Sequence, residues 1–342
     1  MLSTIPNFYN PSKVEEIYRV PYVQRAEEAI GWAKKYDIKP AASDRKKICL
    51  MIIDAQNTFC LPDFELFVGG ASGRGAIEDN DRLCRFIYEN LDVITEIDPT
   101  MDTHYAMQIF HPPFWVNDAG DHPAPNTEIS VNDVRQGIWK VDPSVASMVG
   151  GNYQALQRYA LHYVETLSAG GKYQLYIWPY HAMLGGIGHA LVSAVHEAEF
   201  FHGITRKSHT GFQIKGGNPL TENYSVLAPE VSTYSDGTAF AQKNVSFIKK
   251  LLEFDMVIIA GQAKSHCVAW TIADLLGEIK KKDPTLAAKV YILEDCTSPV
   301  VIPNVVDFTQ QANDTFAEFK REGMHLVVST DPISDWPNSP IK

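Results

Sequence analysis

Six short apolar runs alternate with longer amphipathic segments along most of this chain. The runs are ICLMII (48–53), YQLYIW (173–178), TGFQI (210–214), MVIIA (256–260), VYIL (290–293) and MHLVVS (324–329). Between them, apolar spacing predicts helices at about 76–92, 151–168, 182–199, 240–252, 267–281 and 304–322. Short apolar strands separated by helices of this length form βαβ units. The pattern therefore predicts an α/β fold, with an open parallel sheet covered by helices on both faces.

Two segments depart from this rhythm. Residues 1–45 mix charged and apolar residues at helical spacing, broken by Pro21, and predict a helical extension that could pack on a partner subunit. Residues 105–150 combine many Pro, Gly, Asn and Asp residues with aromatics, and predict a long inserted loop. Such a loop is either a lid or binding loop, or a surface excursion or oligomer contact. The remaining domain is expected to span 46–342.

Composition excludes several classes of protein. The chain has 342 residues and a formal net charge of -11, which repels phosphate backbones and argues against nucleic-acid binding. Its five cysteines are odd in number and form no close pair, which favours a reducing compartment, and we expect the cytoplasm. No secretory leader and no run of about 18 apolar residues is evident, so we expect no membrane association.

Polar side chains follow several of the apolar runs. Asp54 comes directly after the first run, Lys215 after TGFQI, and Cys267 shortly after MVIIA. Each has an ordinary structural explanation when taken alone: a turn aspartate, a solvated loop lysine and a small buried thiol. Ligands of open α/β sheets bind at the carboxyl ends of the strands, where these three side chains would converge. Together they predict a site at that edge of the sheet.

A thiol, an ammonium and a carboxyl group at one place indicate acyl transfer. A thiol becomes a good nucleophile only as the thiolate, which a helix N-terminus and the Lys215 ammonium would favour. Asp54 could accept the proton of Cys267, and the thiolate would attack a carbonyl carbon to form an acyl-enzyme. Backbone N–H groups at Ala263 and Cys267 could form the oxyanion hole.

A second group of polar residues has the character of a metal site. Asp102 and His104 lie two residues apart in an extended segment and point to the same side, and His181 follows another run. One carboxylate and two imidazoles suit Zn²⁺, Fe²⁺ or Mn²⁺. The structural alternatives are a satisfied turn for Asp102 and His104, and a helix cap for His181.

The motifs that carry these residues resemble a known family. They are IIDAQNTF (52–59), MDTH (101–104), WPYH (178–181), IKGG with ENYS (214–225), AGQAKSHCV (260–268) and EDCTSPV (294–300). In this order they resemble the isochorismatase-like cysteine hydrolases, and among these most closely the nicotinamidases. Three features depart from the family: Ala182 stands where nicotinamidases often have cysteine, the stretch between His104 and His181 is unusually long, and the N-terminal extension is unusual.

The resemblance implies a three-layer α/β/α fold around a central, mainly parallel six-stranded sheet. It implies a catalytic triad of Asp54, Lys215 and Cys267, and a cis peptide between Gln262 and Ala263 that orients the oxyanion hole. It also implies that Asp102, His104 and His181 bind a divalent metal that holds the ring nitrogen of the substrate. Zinc is the expected metal, with iron and manganese as alternatives.

The sequence thus predicts a cysteine amidohydrolase that cleaves a small primary amide such as nicotinamide through a thioester, in a homo-oligomer. Phe59, Trp115 and Tyr224 are candidate walls of the substrate pocket, and ordinary core packing explains each of them equally well. The rival hypotheses are an isochorismatase-type, ureide or carbamoyl hydrolase of the same superfamily, and a non-catalytic oligomeric binding protein.

Overall fold

A six-stranded parallel sheet runs through the centre of the protein. The structure is a computed structural model that describes residues 4–171 and 173–341. The strands of the sheet are β1 (Ile48–Ile53), β2 (Glu96–Asp102), β3 (Gln213–Lys215), β4 (Met256–Gly261), β5 (Val290–Leu293) and β6 (His325–Val327). Their order across the sheet is β6-β5-β4-β1-β2-β3, and every neighbouring pair is parallel.

Helices cover both faces of this sheet. The longer ones in the described part of the chain are α1 (Tyr22–Lys35), α2 (Gly75–Glu89), α3 (Tyr153–Gly170), α4 (Ser193–Arg206), α5 (Val245–Glu253), α6 (Ala269–Lys282) and α7 (Thr309–Arg321). Helices α1, α2 and α4 pack on one face, and α5, α6 and α7 pack on the other. The predicted three-layer α/β/α architecture is therefore confirmed. None of the helices in the described segments has the length and apolar character of a membrane span.

Strand β1 shows why the sheet lies in the middle. All six of its residues are buried, as expected for a strand covered on both sides. Side chains alternate between the two faces of a strand. Accordingly Ile48, Leu50 and Ile52 join the cluster beneath α2 and α4, while the alternate residues 49, 51 and 53 join the cluster beneath α5 and α6.

The N-terminal extension packs on its own chain. Helix α1 buries Arg25 against α4, where the guanidinium Nε donates to Glu197 Oε1 at 2.6 Å. The hydroxyl of Tyr18 donates to the other oxygen of Glu197 at 2.6 Å, and the Arg25 guanidinium lies 3.7 Å from the ring centre of Phe8. The extension is thus held by a buried ion pair within the subunit.

The segment predicted as a loop at 105–150 has a core of its own. Its aromatic and aliphatic residues form a third buried cluster with α3, which includes Phe114, Trp115 and Tyr163. Two short antiparallel pairs brace it, Trp115–Val116 with Lys140–Val141 and Glu128–Ile129 with Leu175–Tyr176. The inserted segment is therefore a folded wall beside the sheet.

Two predicted elements were wrong. The run 173–178 contributes no strand to the main sheet, because its Leu175–Tyr176 pairs with Glu128–Ile129 and Leu175 packs in the third cluster. The sixth strand of the main sheet is instead β2, which is buried although its sequence is acidic. Its Asp98 is fully buried and pairs with Lys250 of α5 at 2.8 Å. The helix predicted from 182 begins instead at Ser193.

The ion pair under the extension gives a stability prediction. Replacement of Glu197 by alanine removes the buried carboxylate that pairs with the Arg25 guanidinium and leaves only the half-exposed Glu28 beside it, so the free energy of unfolding should fall by about 3 kcal/mol. The control is Glu15→Ala, which breaks the exposed pair with Arg74 and should change stability by less than about 1 kcal/mol. Denaturant unfolding of both variants measures the difference, and equal effects would contradict a structural role for the pair.

Candidate active site

Three predicted catalytic residues meet at the carboxyl ends of three strands. Asp54 directly follows β1, Lys215 is the last residue of β3, and Cys267 lies in a π-helical turn, Lys264–Val268, between β4 and α6. The helix predicted from 267 thus starts two residues later, at Ala269. Gly261 ends β4 with a φ of 114°, and a Cβ there would collide with the backbone of Ile53. This close approach of β4 to β1 brings the turn beside Asp54.

Lys215 stands at the centre of the site. Its Nζ lies 3.1 Å from Asp54 Oδ2 and 3.7 Å from Cys267 Sγ. The same nitrogen donates to Asp102 Oδ1 and to the Asn223 carbonyl oxygen, each at 2.8 Å. The structure therefore brings the Asp54 carboxyl and the Cys267 thiol to one ammonium group, although the three residues are far apart in the sequence.

The electrostatics follow from burial and from these neighbours. Burial raises the pKa of the Cys267 thiol, and the Lys215 ammonium opposes that shift. Burial also raises the pKa of Asp54, although Lys215 favours its charged form and Thr100 donates to its Oδ1 at 2.5 Å. The Lys215 ammonium contacts both acids and favours the charged form of each. This arrangement is suited to proton transfer between Cys267 and Asp54.

The three predicted metal ligands also lie together. The carboxylate of Asp102 and the ring nitrogens of His104 and His181 offer ligand atoms that all lie within 4.8 Å of one another. The Nε2 atoms of His104 and His181 are 2.7 and 3.6 Å from Asp102 Oδ2. The other ring nitrogens face backbone carbonyl oxygens: His181 Nδ1 lies 2.8 Å from Pro179 O, and His104 Nδ1 lies 3.4 Å from Gly216 O.

This donor set fits a divalent metal. A ligating histidine usually donates its second N–H to a carbonyl or carboxylate, which fixes the ring and turns the other nitrogen inward. The backbone contacts do this for both histidines. Gly216 allows the close packing, since a Cβ there would lie 2.9 Å from both Asp102 Oδ1 and His104 Cε1. His181 caps no helix, because the next long helix begins at Ser193.

Two residues of the site were missed in the sequence. Glu222 is buried beside Asp102 and His181, and burial together with the Asp102 charge raises its pKa to about 7. It lies in the ENYS motif, so the signal was present. Asp79 is buried in α2 and accepts from the side-chain amide of Gln262 at 2.9 Å. The peptide between Gln262 and Ala263 is cis, as the resemblance implied.

A cavity of about 420 Å³ opens onto these groups. Its wall includes Phe59 and Tyr224, two of the predicted pocket residues, beside Cys267. Trp115 was predicted as a third wall and does not line the cavity. Its ring is fully buried in the third cluster, where the indole N–H donates to the Ile109 carbonyl at 2.6 Å.

Comparisons with known proteins support the fold. Scans against protein-family models and against curated proteins find no match. Among solved structures, the nicotinamidase/pyrazinamidase of Acinetobacter baumanii is 17% identical, with a TM-score of 0.50, covering 84% of this chain and 99% of the other. The yeast nicotinamidase bound to the inhibitor nicotinaldehyde is also 17% identical, with a TM-score of 0.51, covering 82% and 99%. The chain therefore shares the fold of these nicotinamidase structures, in agreement with the fold that the motifs implied.

The surroundings of the thiols predict their reactivity. Of the five cysteines, all in described segments, Cys267 is the one that is not fully buried, so iodoacetamide should label it first in the folded protein. Replacement of Lys215 by glutamine removes the adjacent positive charge and should slow labelling about tenfold at pH 7, by raising the thiol pKa. Peptide mapping with mass spectrometry gives both results. Labelling of Cys84 at the same rate would contradict an activated Cys267.

Proposed function

We propose that the protein is a metal-containing cysteine amidohydrolase that converts a small aromatic primary amide, such as nicotinamide, to the acid and ammonia. The observation that carries this proposal is the contact of Lys215 Nζ with Asp54, Asp102 and Cys267 Sγ at the floor of one cavity. The fold shared with two nicotinamidase structures supports it. The site supplies a nucleophile, a proton acceptor and a metal-binding set side by side.

The first half of the reaction forms the acyl-enzyme. Asp54 accepts the thiol proton, and the ammonium of Lys215 stabilises the resulting thiolate. The Sγ atom of Cys267 then attacks the amide carbonyl carbon and forms a C–S bond, which moves negative charge onto the carbonyl oxygen. Backbone N–H groups at Ala263 and Cys267 would stabilise that oxyanion.

The second half releases the products. As the C–N bond breaks, the proton held by Asp54 passes to the leaving nitrogen and ammonia departs, leaving a thioester on Cys267. Asp54 then accepts a proton from water, whose oxygen attacks the thioester carbon. The C–S bond breaks, the acid leaves, and the proton on Asp54 returns to the thiolate. No other proton carrier is required.

The metal set lies next to this machinery. Asp102, His104 and His181 would hold the ion, and zinc suits one carboxylate with two imidazoles. When bound, the metal supplies a Lewis-acidic anchor for the ring nitrogen of the substrate. Asp102 would then serve two partners, since its Oδ1 accepts from Lys215 while its Oδ2 faces the histidines.

The nucleophile is tested by replacement of Cys267 with alanine. Because the proposed reaction has no other nucleophile, ammonia release from nicotinamide should fall by a factor of about 10⁴ or more, with the circular dichroism spectrum unchanged. The control is Cys84→Ala, which removes a buried thiol of α2 outside the cavity and should keep most of the activity. Retained turnover in the Cys267 variant would refute the mechanism.

The metal is tested by elemental analysis. Zinc-loaded protein should hold about one ion per chain. His181→Ala should lose that ion and at least about a hundredfold in turnover. Replacement of the exposed His209 by alanine is the matched control and should change neither quantity. Zinc binding that survives loss of His181 would argue against this site.

The substrate class is tested by assays of a ureide and an N-carbamoyl amino acid alongside nicotinamide. These assays separate the amidase from the rival hydrolases.

A further inference from the structure

The catalytic cavity extends from a buried floor to an exposed rim. Asp102, Lys215 and His266 line it and are buried, so they mark the floor. Glu65 and Asn126 line it and are exposed, which places them at the rim. Asn126 belongs to the inserted segment described above, and so gives the rim a residue from outside the sheet and its crossover helices.

The cavity is larger than a single-ring amide requires. Such an amide has about nine non-hydrogen atoms, and a water molecule occupies about 30 Å³ in the liquid. Even if every atom of the amide took the full share of a water molecule, it would fill only about two-thirds of the 420 Å³. The remaining volume lies on the side of the rim, because the reacting groups are at the floor.

The outer part of the cavity has a distinct chemistry. Leu66, Phe67 and Val300 contribute apolar surface, and Ile302 adds more from the short hairpin Val301–Ile302 with Val306–Asp307. Glu65 adds a carboxylate there, whose Oε2 accepts from the Thr58 hydroxyl.

Positive charge is scarce in this wall. Among the described residues that line the cavity, Lys215 is the one lysine or arginine, and Asp54 and Asp102 already engage it. Burial lowers the pKa of His266 to about 4, which leaves its ring neutral. An anionic substituent at the rim would therefore meet Glu65 without a free lysine or arginine of the wall to compensate it, whereas an apolar arm with a neutral or cationic end would be accommodated.

We propose that this rim is an outer subsite that selects aryl carboxamides carrying an apolar arm with a neutral or cationic end. The inference rests on the proposed function, since it assumes that the carboxamide is bound at Cys267. Ile302 contacts the arm, and Glu65 sets the preference for the charge at its end. The preferred substrate is thus a substituted ring, and nicotinamide occupies only the inner part of the cavity.

Seven probes test the subsite: nicotinamide, and its derivatives that carry a butyl, a 4-aminobutyl or a 3-carboxypropyl group at ring carbon 5 or at ring carbon 6. Dissociation constants are measured by calorimetry on the zinc-loaded Cys267→Ala variant, where no turnover occurs. At one of the two ring positions the butyl compound should bind about tenfold more tightly than nicotinamide, through burial of its methylene groups. The aminobutyl compound should bind at least about tenfold more tightly than the carboxypropyl compound, since their charges meet Glu65 with opposite signs.

Matched variants assign these effects to residues. Ile302→Ala should reduce the advantage of the butyl arm about threefold. Val305→Ala, on the same hairpin, exposed and outside the cavity wall, should leave that advantage unchanged. Glu65→Gln should narrow the ratio between the aminobutyl and carboxypropyl compounds about threefold, and Asp63→Asn, an exposed charge two residues away, should not.

The outcomes separate this inference from the proposed function. If the wild-type protein hydrolyses nicotinamide and no arm at either position improves binding, the subsite is refuted and the amidase stands. If the wild-type protein releases ammonia from none of the probes, the proposed function fails, and the binding order still decides whether the subsite exists. Tighter binding of the carboxypropyl compound than of the aminobutyl compound would overturn the role of Glu65.

Discussion

The buried ammonium of Lys215 is the interaction on which this site depends. A buried cation is strongly destabilising unless carboxylates compensate it, and here Asp54 and Asp102 do so from two different strands. The register of the sheet sets this up, because Lys215 of β3 lies opposite Asp102 of β2. The Lys215 side chain thereby joins Cys267 to the three candidate metal ligands, and neither half of the candidate site is independent of the other.

Much of the fold can be predicted from the local pattern of apolar residues, and strand β2 shows the limit of such prediction. The runs that form β1, β4 and β5 are apolar throughout, and the run that forms β6 is mostly apolar, so their sequences are sufficient to place them. Strand β2 is different, because the burial of Asp98 is compensated by Lys250, more than a hundred residues further along the chain. That compensation exists only in three dimensions, and the acidic sequence of β2 therefore gave only a weak strand signal.

The residues of the candidate site likewise fall into those that the sequence could predict and those that it could not. Asp54, Lys215 and Cys267 could be found because all three lie close to strand ends, and the topology of a parallel sheet brings such positions together. Trp115 could not be assigned correctly, since an aromatic residue in an irregular segment is equally compatible with a pocket and a core. Asp79 gave no signal, because it acts through Gln262 from the buried face of an amphipathic helix.

The separate core of the inserted segment has a consequence for how this protein could diversify. Its interior is built from its own residues, α3 and a few residues of the stretches 175–177 and 220–231, and it is distinct from the clusters on the two faces of the central sheet. The segment can therefore change in length and shape without repacking either face of that sheet. Evolution, or an engineer, can therefore vary the wall that carries Asn126 while Asp54, Lys215 and Cys267 stay where the sheet holds them.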